Sequence, residues 1–427
     1  MAKLKKDLTL FDLIFYGIGI ILGAGIYVLI GHATAEAGSG VWLSFVIAAV
    51  IASFTGLSYA ELSSLYPRNA AEYMFVKTAF KDTTVGFVIG WLTFFMTIVA
   101  GSVVALGFGG YFESLTGISA VAAAAGLIVV FTAISYMGIK MSSRLNIFLT
   151  SVTIFGLLLI IGIGLPSIGS IDYFAMPTGF IGVFGAAAIV FFAYLGFDEI
   201  VNVAEEAKNA RKNIPKAIMI SVLITTIIYI LVSLSAISIV PWQEIGASST
   251  PLALVASTAL GPAAGTLLSV FALFATAGTV LILMIAASRM IFGMAEYGVM
   301  PKALLKLSRR STPYIAILVI AFVSLAFISY SEIKNIALLV DFSAFFVFAL
   351  INLSAIILRF THPTARRSFR TPINIGKLPL LPTLGFLISG YMLLQFEIAM
   401  MWYGVMVMVA GYIFYKFYEQ DIKKGKL

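Results

Sequence analysis

Long apolar segments recur along almost the whole chain. Hydrophobic residues make up 61% of the 427 residues and charged residues 11%, whereas soluble domains average about 45–50% and about 25%. A run of about 20 apolar residues crosses a bilayer as a helix, because a helix satisfies its backbone hydrogen bonds internally. We therefore expect an all-α integral membrane protein, embedded in the lipid bilayer as a single polytopic domain over residues 1–427.

The sequence predicts twelve transmembrane helices. They cover roughly residues 10–36, 40–65, 83–111, 119–138, 145–166, 179–206, 215–240, 262–297, 312–329, 334–358, 377–396 and 399–418, to within a few residues at each end. Polar, turn-forming stretches connect them, among them Tyr66-Pro67-Arg68-Asn69 and Ala247-Ser248-Ser249-Thr250-Pro251.

The basic residues support this topology. With the N-terminus in the cytoplasm, all of the 27 Lys and Arg residues except Arg289 and Lys334 fall in cytoplasmic segments. Such an excess of basic residues on one side is what the positive-inside rule predicts. The net charge of +8 is thereby explained without nucleic-acid binding. We expect a multi-pass protein of the cell (plasma) membrane with both termini in the cytoplasm.

Two glycine-containing stretches interrupt predicted spans near mid-membrane: Gly23-Ala24-Gly25-Ile26-Tyr27 in the first and Tyr194-Leu195-Gly196-Phe197-Asp198 in the sixth. Glycine weakens a helix by roughly 1 kcal/mol relative to alanine, and unpaired backbone groups are tolerated in a membrane only against protein or a water-filled cavity. Close helix packing through small residues is the alternative interpretation.

The two interruptions occupy corresponding positions, each about 15 residues into its span. They open an inverted repeat of five plus five spans, with repeat one at about 8–166, repeat two at about 179–358 and two additional helices at about 377–418. Interrupted helices in matching positions of inverted halves indicate the substrate site of a transporter.

Broken helices predict the class of ligand. The second half of a broken helix begins with free N–H groups and partial positive charge, which suits a carboxylate. The free carbonyl groups that end the first half suit an ammonium group or a small cation. We therefore expect a small zwitterion such as a free amino acid. An aromatic side chain beside a break, such as Phe192 or Tyr27, could close over it, or simply pack in the bundle.

Three stretches resemble amino acid permeases of the amino acid–polyamine–organocation superfamily, closest to the cationic amino acid transporter branch. They are Gly19-Ile20-Ile21-Leu22-Gly23-Ala24-Gly25-Ile26-Tyr27, then Tyr59-Ala60-Glu61-Leu62-Ser63-Ser64-Leu65-Tyr66-Pro67, then Phe191-Phe192-Ala193-Tyr194-Leu195-Gly196-Phe197-Asp198 with Ala204-Glu205-Glu206-Ala207-Lys208-Asn209 and Ile214-Pro215. The resemblance implies a leucine-transporter-type fold and a secondary transporter that works by alternating access.

The resemblance also implies substrate-binding positions. Backbone groups of Gly23, Ala24, Gly25 and Ile26 would bind the substrate carboxylate, carbonyls near Gly19, Phe191, Ala193 and Tyr194 would bind its amine, and Leu195 and Gly196 would belong to the unwound stretch. Proton-coupled relatives often carry a lysine in the fifth helix, where this chain has Thr153, so a lysine mechanism is not expected.

Two coupling sites are candidates. Thr153, Thr276 and Thr279, with the carbonyls of Gly19 and Leu22, could surround Na⁺ with oxygens, unless the hydroxyls bond to their own helices. Asp341 could carry H⁺, because carboxylates inside a membrane are costly and usually functional; a shallow aspartate reaching outer water is the alternative.

Other acidic residues receive structural roles. Asp198 is expected to hold the geometry of the second interruption, and Glu61, Glu205 and Glu206 are expected to pair with Lys and Arg. His32 is expected at the surface.

Other functions would require different sequence features. A polyamine or amine permease would require paired acidic residues in the pocket, and a transport-inactive amino acid sensor usually has a larger cytoplasmic domain. An enzyme would need a cluster of His, Asp or Glu at one depth, and an ATP-driven pump a phosphate loop. We expect no catalytic residue, metal or cofactor. The amino acid, exchange versus net uptake, and the oligomeric state stay open.

Overall fold

A computed structural model describes residues 4–329 and 333–423 of the chain. The side chains of Ala24, Val28, residues 333–338 and residues 421–423 are not described. Lys3, Lys424 and Lys426, which the predicted topology assigns to the cytoplasm, and Glu332, predicted in an outer loop, lie outside the described residues.

The first half of the described chain contains eight α-helices: α1 (Leu10–Ile21), α2 (Ala24–Ala37), α3 (Val41–Leu65), α4 (Ala71–Phe80), α5 (Thr83–Thr116), α6 (Ala120–Tyr136), α7 (Ile139–Gly164) and α8 (Gly179–Phe191). A 3-10 turn (Phe192–Tyr194) and a 3-10 helix (Phe197–Glu206) follow α8. Local signals explain several ends. Thr9 and Asp12 form a reciprocal capping box at the start of α1, and Asp82 accepts hydrogen bonds from the first turn of α5.

The second half of the described chain contains a further eight α-helices: α9 (Ala210–Ile239), α10 (Trp242–Ala247), α11 (Pro251–Leu260), α12 (Pro262–Glu296), α13 (Tyr314–Ile328), α14 (Ile333–Thr361), α15 (Leu380–Leu393) and α16 (Ile398–Lys423). One antiparallel hairpin, β1 (Asn374–Ile375) and β2 (Leu378–Pro379), precedes α15.

The helices agree with most of the predicted spans. Within the described residues, nine helical segments are long and apolar enough to cross a membrane. The fourth, ninth and eleventh predicted spans correspond to shorter apolar helices, Ala120–Tyr136, Tyr314–Ile328 and Leu380–Leu393. The predicted polar connections are partly wrong, because α4, α10 and α11 form where loops were expected.

The helices form one bundle around α12. Of the most apolar window of α12, 83% is buried inside the protein, against 22% for α16, so α12 is central and α16 is peripheral. We call one end of the bundle the basic end. At this end, the segment before α1 pairs with the segment that follows the 3-10 helix. There the Leu8 N–H donates to the Glu206 carbonyl at 2.9 Å, and the Lys208 N–H donates to the Leu8 carbonyl at 2.8 Å.

Candidate functional site

The first break, Leu22 and Gly23, separates α1 from α2. Gly23 has φ −73° and ψ −150°, outside helical geometry. α2 begins at Ala24 with no side chain hydrogen bonded to its first turn and no acidic residue in that turn. The N–H groups of a first turn lack partners inside the helix, and the helix dipole adds partial positive charge. The first break therefore leaves a helix N-terminus available to an anion.

The second break, Leu195 and Gly196, lies between the 3-10 turn and the 3-10 helix. Leu195 is extended, and Gly196 has φ +112°, a conformation that favours glycine. Asp198 and Glu199 lie in the first turn of the 3-10 helix, and Asp198 Oδ1 accepts a hydrogen bond from the Gly196 N–H at 3.0 Å. Asp198 thus has the geometric role expected from the sequence, and the chain's own acids occupy this helix start.

The two breaks lie against each other. A methyl group on Gly25 would come within 2.9 Å of Ala193 Cα, and one on Gly196 would come within 2.6 Å of a side-chain carbon of Ile20. Such distances are too short for any real side chain, so glycine at both positions allows the two broken helices to approach closely. The sequence alternative of close packing through small residues and the ligand-site interpretation therefore describe the same feature.

Tyr229 of α9 connects the two breaks. Its hydroxyl lies within hydrogen-bond distance of two carbonyl oxygens, those of Ile21 in α1 and of Ala193 in the 3-10 turn, the second at 3.0 Å. A tyrosine has one hydroxyl hydrogen, so it donates to one carbonyl at a time. The sequence analysis missed this residue, which is fully buried. It holds the ends of both first halves in register.

A central cavity of about 80 Å³ opens between the breaks. Its lining residues come from both breaks, from α1, α2, α5, α12 and α14, and from the 3-10 helix: Ile20, Ile21, Gly23, Gly25, Met96, Thr97, Ala100, Val104, Phe192, Ala193, Leu195, Gly196, Asp198, Glu199, Thr279, Leu283, Val340 and Ala344. Small-molecule pockets are mostly apolar with few polar groups, and the lining of this cavity has that character. Its volume is below the about 300–1,000 Å³ typical of such pockets, so room for a substrate requires the surrounding side chains to move.

Of the substrate-binding positions that the resemblance implied, five line the central cavity: Gly23, Gly25, Ala193, Leu195 and Gly196.

The other implied positions are distributed around the cavity. Gly19 and Ile26 are buried beside the first break, and only the backbone of Ala24 is described. Phe191 stacks on Phe345 with ring centroids 4.9 Å apart, and the Tyr194 hydroxyl donates to the Phe45 carbonyl at 3.1 Å.

The threonine cluster is only partly assembled. The Thr279 hydroxyl lies 3.4 Å from the Gly19 carbonyl oxygen and 3.2 Å from the Ala275 carbonyl oxygen of its own helix. Thr153 and Thr276 donate to carbonyls of their own helices, as the alternative interpretation described. From α7, it is Thr150 that a methyl group on Gly19 would meet.

Asp341 of α14 lies in a second cavity together with Phe192, Gln395 and Glu397. Phe192 also lines the central cavity, so it contacts both spaces. His32 is exposed, as expected.

Ion pairs form at the basic end, as predicted for Glu61, Glu205 and Glu206. Glu61 with Arg359 at 2.5 Å and Arg367 at 2.9 Å, and Glu206 with Arg289 at 2.9 Å, are buried. Glu205 pairs at 3.6 Å with Arg68, which is 63% exposed. The ring of Tyr59 packs edge-on against Phe75, Phe197 and Phe348. We call this arrangement, in which buried ion pairs and aromatic rings fill the described part of the basic end, the closed basic end.

Acidic residues near the cavity were partly missed from the sequence. Glu199 lines the cavity and accepts hydrogen bonds from the Thr97 hydroxyl at 2.5 Å and from Asn202 Nδ2 at 3.1 Å. Glu72 is fully buried in the first turn of α4. The adjacency of Glu199 to Asp198 was the available signal for the first residue. Nothing local distinguishes Glu72 from a surface glutamate.

A helical membrane bundle with one cavity between two apposed broken helices is the architecture of a membrane permease. Comparison with known proteins gives the family. The model of the amino acid permease family matches residues 8–415, and the chain belongs to this family.

Individual relatives agree with the family. The chain is 31% identical to the branched-chain amino acid permease BcaP of Bacillus subtilis, over 99% of this chain and 95% of the relative. It is 32% identical to the methylthioribose transporter of the same organism, over 87% and 85% of the two chains. It is 29% identical to the vacuolar cationic amino acid transporter 4 of Arabidopsis thaliana, over 84% and 64%. The protein is a permease and not an enzyme.

Proposed function

We propose that this protein is a secondary transporter that moves an amino acid with an apolar side chain across the cell membrane by alternating access. The observation that carries the proposal is the uncapped N-terminus of α2, which lies at the central cavity through Gly23 and Gly25. A helix start that offers free N–H groups and has no acidic side chain in its own first turn binds a carboxylate.

The rest of the cavity supports the substrate class. Carbonyl groups near Ala193 and Gly19 accept the substrate amine. Apolar side chains of α5, α12 and α14, such as Met96, Leu283 and Val340, surround the remaining space and bind an aliphatic side chain through the hydrophobic effect. The likeness to a branched-chain amino acid permease favours leucine, isoleucine or valine.

The finer architecture belongs to the same proposal. Twelve spans form two inverted repeats, about 8–166 and 179–358, with the two last helices outside them. The basic end faces the cytoplasm, because basic residues collect on that side of a membrane, and both termini lie there. The closed basic end then represents a state shut to the cytoplasm, and Phe192 is the side chain that closes or opens the path on the other side.

Transport is driven by an ion gradient or by exchange. For Na⁺, the proposal draws support from Thr279, whose hydroxyl lies 3.4 Å from the Gly19 carbonyl oxygen. Leu22, Thr153 and Thr276 stay candidates from the sequence, and the hydroxyls of Thr153 and Thr276 would have to turn away from their own helices to bind an ion. For H⁺, Asp341 is the candidate that the sequence indicated.

The test is uptake of radiolabelled compounds into proteoliposomes. Leucine, valine, alanine, arginine, putrescine and methylthioribose are each offered with an inward proton gradient, with an inward sodium gradient, and with no gradient but unlabelled compound inside. Saturable uptake of leucine and valine, at least tenfold above arginine and putrescine, is the expected result. Uptake that occurs only against internal substrate identifies an exchanger.

A polyamine or amine permease is the second candidate, because Asp198 and Glu199 line the cavity. Carboxylates of this kind could bind a second ammonium group. Preferential uptake of putrescine would establish this function and overturn the amino acid proposal. Binding of an amino acid without any flux would instead indicate a sensor.

A further inference from the structure

Three buried acidic residues lie next to one another beside the central cavity. Asp198 and Glu199 belong to the 3-10 helix and are each 3% exposed, and Glu72 of α4 is 0% exposed. Tyr59 of α3 packs against Phe197 of the same 3-10 helix. Residues of α3, α4 and the 3-10 helix, which are separate in the sequence, therefore meet here.

Two of these carboxylates have hydrogen-bond donors. Asp198 accepts from the Gly196 N–H, and Glu199 accepts from Thr97 and Asn202. Glu72 differs, because neither of its carboxyl oxygens accepts a hydrogen bond of normal geometry in the described part of the chain, although the polar groups of Tyr59 and Asn202 lie close to it.

The Tyr59 hydroxyl is the second unsatisfied group. It is fully buried, it has no hydrogen-bond partner among residues 4–329 and 333–423, and it faces the Glu72 carboxyl. Buried polar groups without hydrogen bonds are rare in native proteins, so the Tyr59 hydroxyl and the Glu72 carboxyl both need an explanation.

No cation neutralises Glu72 within the described residues. The guanidinium group of Arg289 pairs with Glu206 instead, to which it donates two hydrogen bonds at 2.9 and 3.1 Å. Lys77 of the same helix lies over the rings of Tyr73 and Tyr297, 5.3 and 5.8 Å from their centroids.

A metal ion is also not favoured there, since no group of three His, Cys, Asp or Glu side chains in the described residues is arranged to hold one.

An isolated ionised carboxylate is too costly to bury, and such a group becomes protonated instead. The titratable groups that face Glu72 are Tyr59 from α3 and Asp198 and Glu199 from the 3-10 helix. Burial raises the pKa of the Glu72 carboxyl well above its usual range, and the negative charge of Glu199 raises it further. The neutral, protonated form of Glu72 is therefore the form that this buried position favours.

We infer that Glu72, supported by Glu199, is an exchangeable proton site of this permease, and that its proton crosses the membrane together with the substrate. This inference rests on the proposed transport function. It assigns the coupling role to a site distinct from Asp341 and from the threonine cluster.

The geometry gives a route for the proton. Glu199 and Thr97 line the central cavity, so a proton that arrives with the substrate reaches Glu199 first. Asn202, which donates to Glu199 at 3.1 Å and whose Oδ1 accepts from the Ala71 N–H at 3.4 Å, holds Glu199 beside the start of α4. Glu72 is the next residue of that helix. The amide of Asn202 does not carry the proton, which passes from the Glu199 carboxyl to the neighbouring Glu72 carboxylate and leaves Glu199 ionised.

Release depends on the opening of the basic end. Opening separates the ring of Tyr59 from Phe197 and admits water to Glu72, which then loses its proton to the cytoplasm. Closing again with Glu72 ionised would bury it unpaired beside the acids Asp198 and Glu199, which is strongly unfavourable. The transporter therefore has to take up a proton before each closure.

The experiment compares four purified proteins in proteoliposomes: wild type, Glu72→Gln, Asp341→Asn and Glu205→Gln. Glu205→Gln is the control, because Glu205 lies on the same 3-10 helix as Glu199 and its partner Arg68 is 63% exposed. Leucine uptake is measured with and without an inward proton gradient, and a pH-sensitive dye inside the vesicles reports proton entry. Counterflow of leucine without any gradient reports whether each variant is folded and competent.

The expected result is specific. Glu72→Gln, which keeps the shape and neutrality of the protonated side chain, retains counterflow. It loses at least 90% of the proton-stimulated uptake and of the leucine-driven acidification. Glu205→Gln retains both. As pH rises, wild-type uptake falls because Glu72 loses its proton, whereas the counterflow of Glu72→Gln is less sensitive to pH.

Other outcomes separate the two proposals. If wild type transports leucine without proton entry, or if Glu72→Gln keeps full proton stimulation, the proton-site inference is wrong while the transport proposal stands. The same holds if Asp341→Asn alone loses the stimulation. If wild type transports no amino acid at all, the proposed function itself is wrong.

Infrared spectroscopy gives a readout independent of transport. A protonated carboxyl absorbs in a region separate from ionised carboxylates, and the band assigned to Glu72 should be present in wild type and absent in Glu72→Gln. If the two spectra are identical in that region, Glu72 is not protonated and the inference is overturned even if the variant transports poorly.

Discussion

The two breaks are similar in position but different in how their exposed backbone is satisfied. The first break is followed by a helix with no capping side chain and no acid in its first turn. The second break is followed by a helix whose first turn contains Asp198 and Glu199, and Asp198 bonds back to Gly196. The helix start after the first break is thus available to an anion from outside the chain. The helix start after the second break already contains two carboxylates of the chain itself.

Because of this difference, one cavity can distinguish the two ends of a zwitterion. A helix N-terminus that is left uncapped attracts a carboxylate. A start already occupied by carboxylates repels it and favours an ammonium group or a proton. The four predictions below test this assignment and the contacts that hold the breaks in place.

Replacing Arg289 with methionine is expected to have the largest effect on stability. Arg289 and Glu206 are each 1% exposed, and removing one partner of a buried pair costs about 3–5 kcal/mol. The change therefore loosens the far end of the helix that follows the second break. Thermal unfolding in detergent, followed by intrinsic fluorescence, measures it. Arg68→Met is the control, since exposed pairs contribute about 0–1 kcal/mol; equal losses for both variants would contradict a special role for the buried pair.

Gly196→Ala is expected to abolish transport and lower the unfolding temperature. Alanine would have to adopt φ +112° and would come within 2.6 Å of Ile20, for a combined cost of about 2–4 kcal/mol. Uptake in proteoliposomes and thermal unfolding measure the two effects. Gly185→Ala in α8, where a methyl group meets no atom within 4 Å, should leave both unchanged, and a normal Gly196→Ala protein would show that the second break is not strained.

Gly25→Ala is expected to affect transport more than stability. The added methyl group would meet Ala193 at 2.9 Å and push the two breaks apart, at a cost of about 1–3 kcal/mol. Because the substrate carboxylate binds beside this residue in the proposed site, the half-saturation concentration for leucine should rise at least tenfold. Leucine binding measured by calorimetry tests this, and an unchanged affinity would mean that the carboxylate binds elsewhere.

Tyr229→Phe is expected to have the smallest of these effects. The change removes the hydroxyl that contacts the carbonyls of Ile21 and Ala193, and an unsatisfied buried carbonyl costs about 1–3 kcal/mol. We expect a modestly lower unfolding temperature and a change of a few fold in leucine affinity. Thr226→Val, on the same helix and bonded to its own Val222 carbonyl, is the control.

Both breaks could be predicted from the sequence, because a glycine inside a long apolar run is locally visible. The spans could be predicted for the same reason, since a bilayer demands about 20 apolar residues whatever the rest of the fold does. Short α4, α10 and α11 could not, because they lie in polar connections where no membrane thickness dictates a length.

The walls of the cavity were also not predictable. Met96, Leu283 and Val340 line it, yet their helices are apolar on nearly every side, so hydrophobic periodicity does not mark which face meets the cavity. Tyr229 and Glu72 were missed for a related reason, since their significance comes from residues far away in the sequence.

The sequence by itself determined a membrane bundle, the place of its two breaks and the kind of ligand that free helix ends bind. These are consequences of local chemistry, namely apolar length, glycine and the polarity of a helix end. Only the tertiary structure decided that Glu199 has donors and Glu72 has none, and that one tyrosine meets both breaks. Those facts depend on which distant side chains become neighbours, and a uniformly apolar sequence does not encode that in any local pattern.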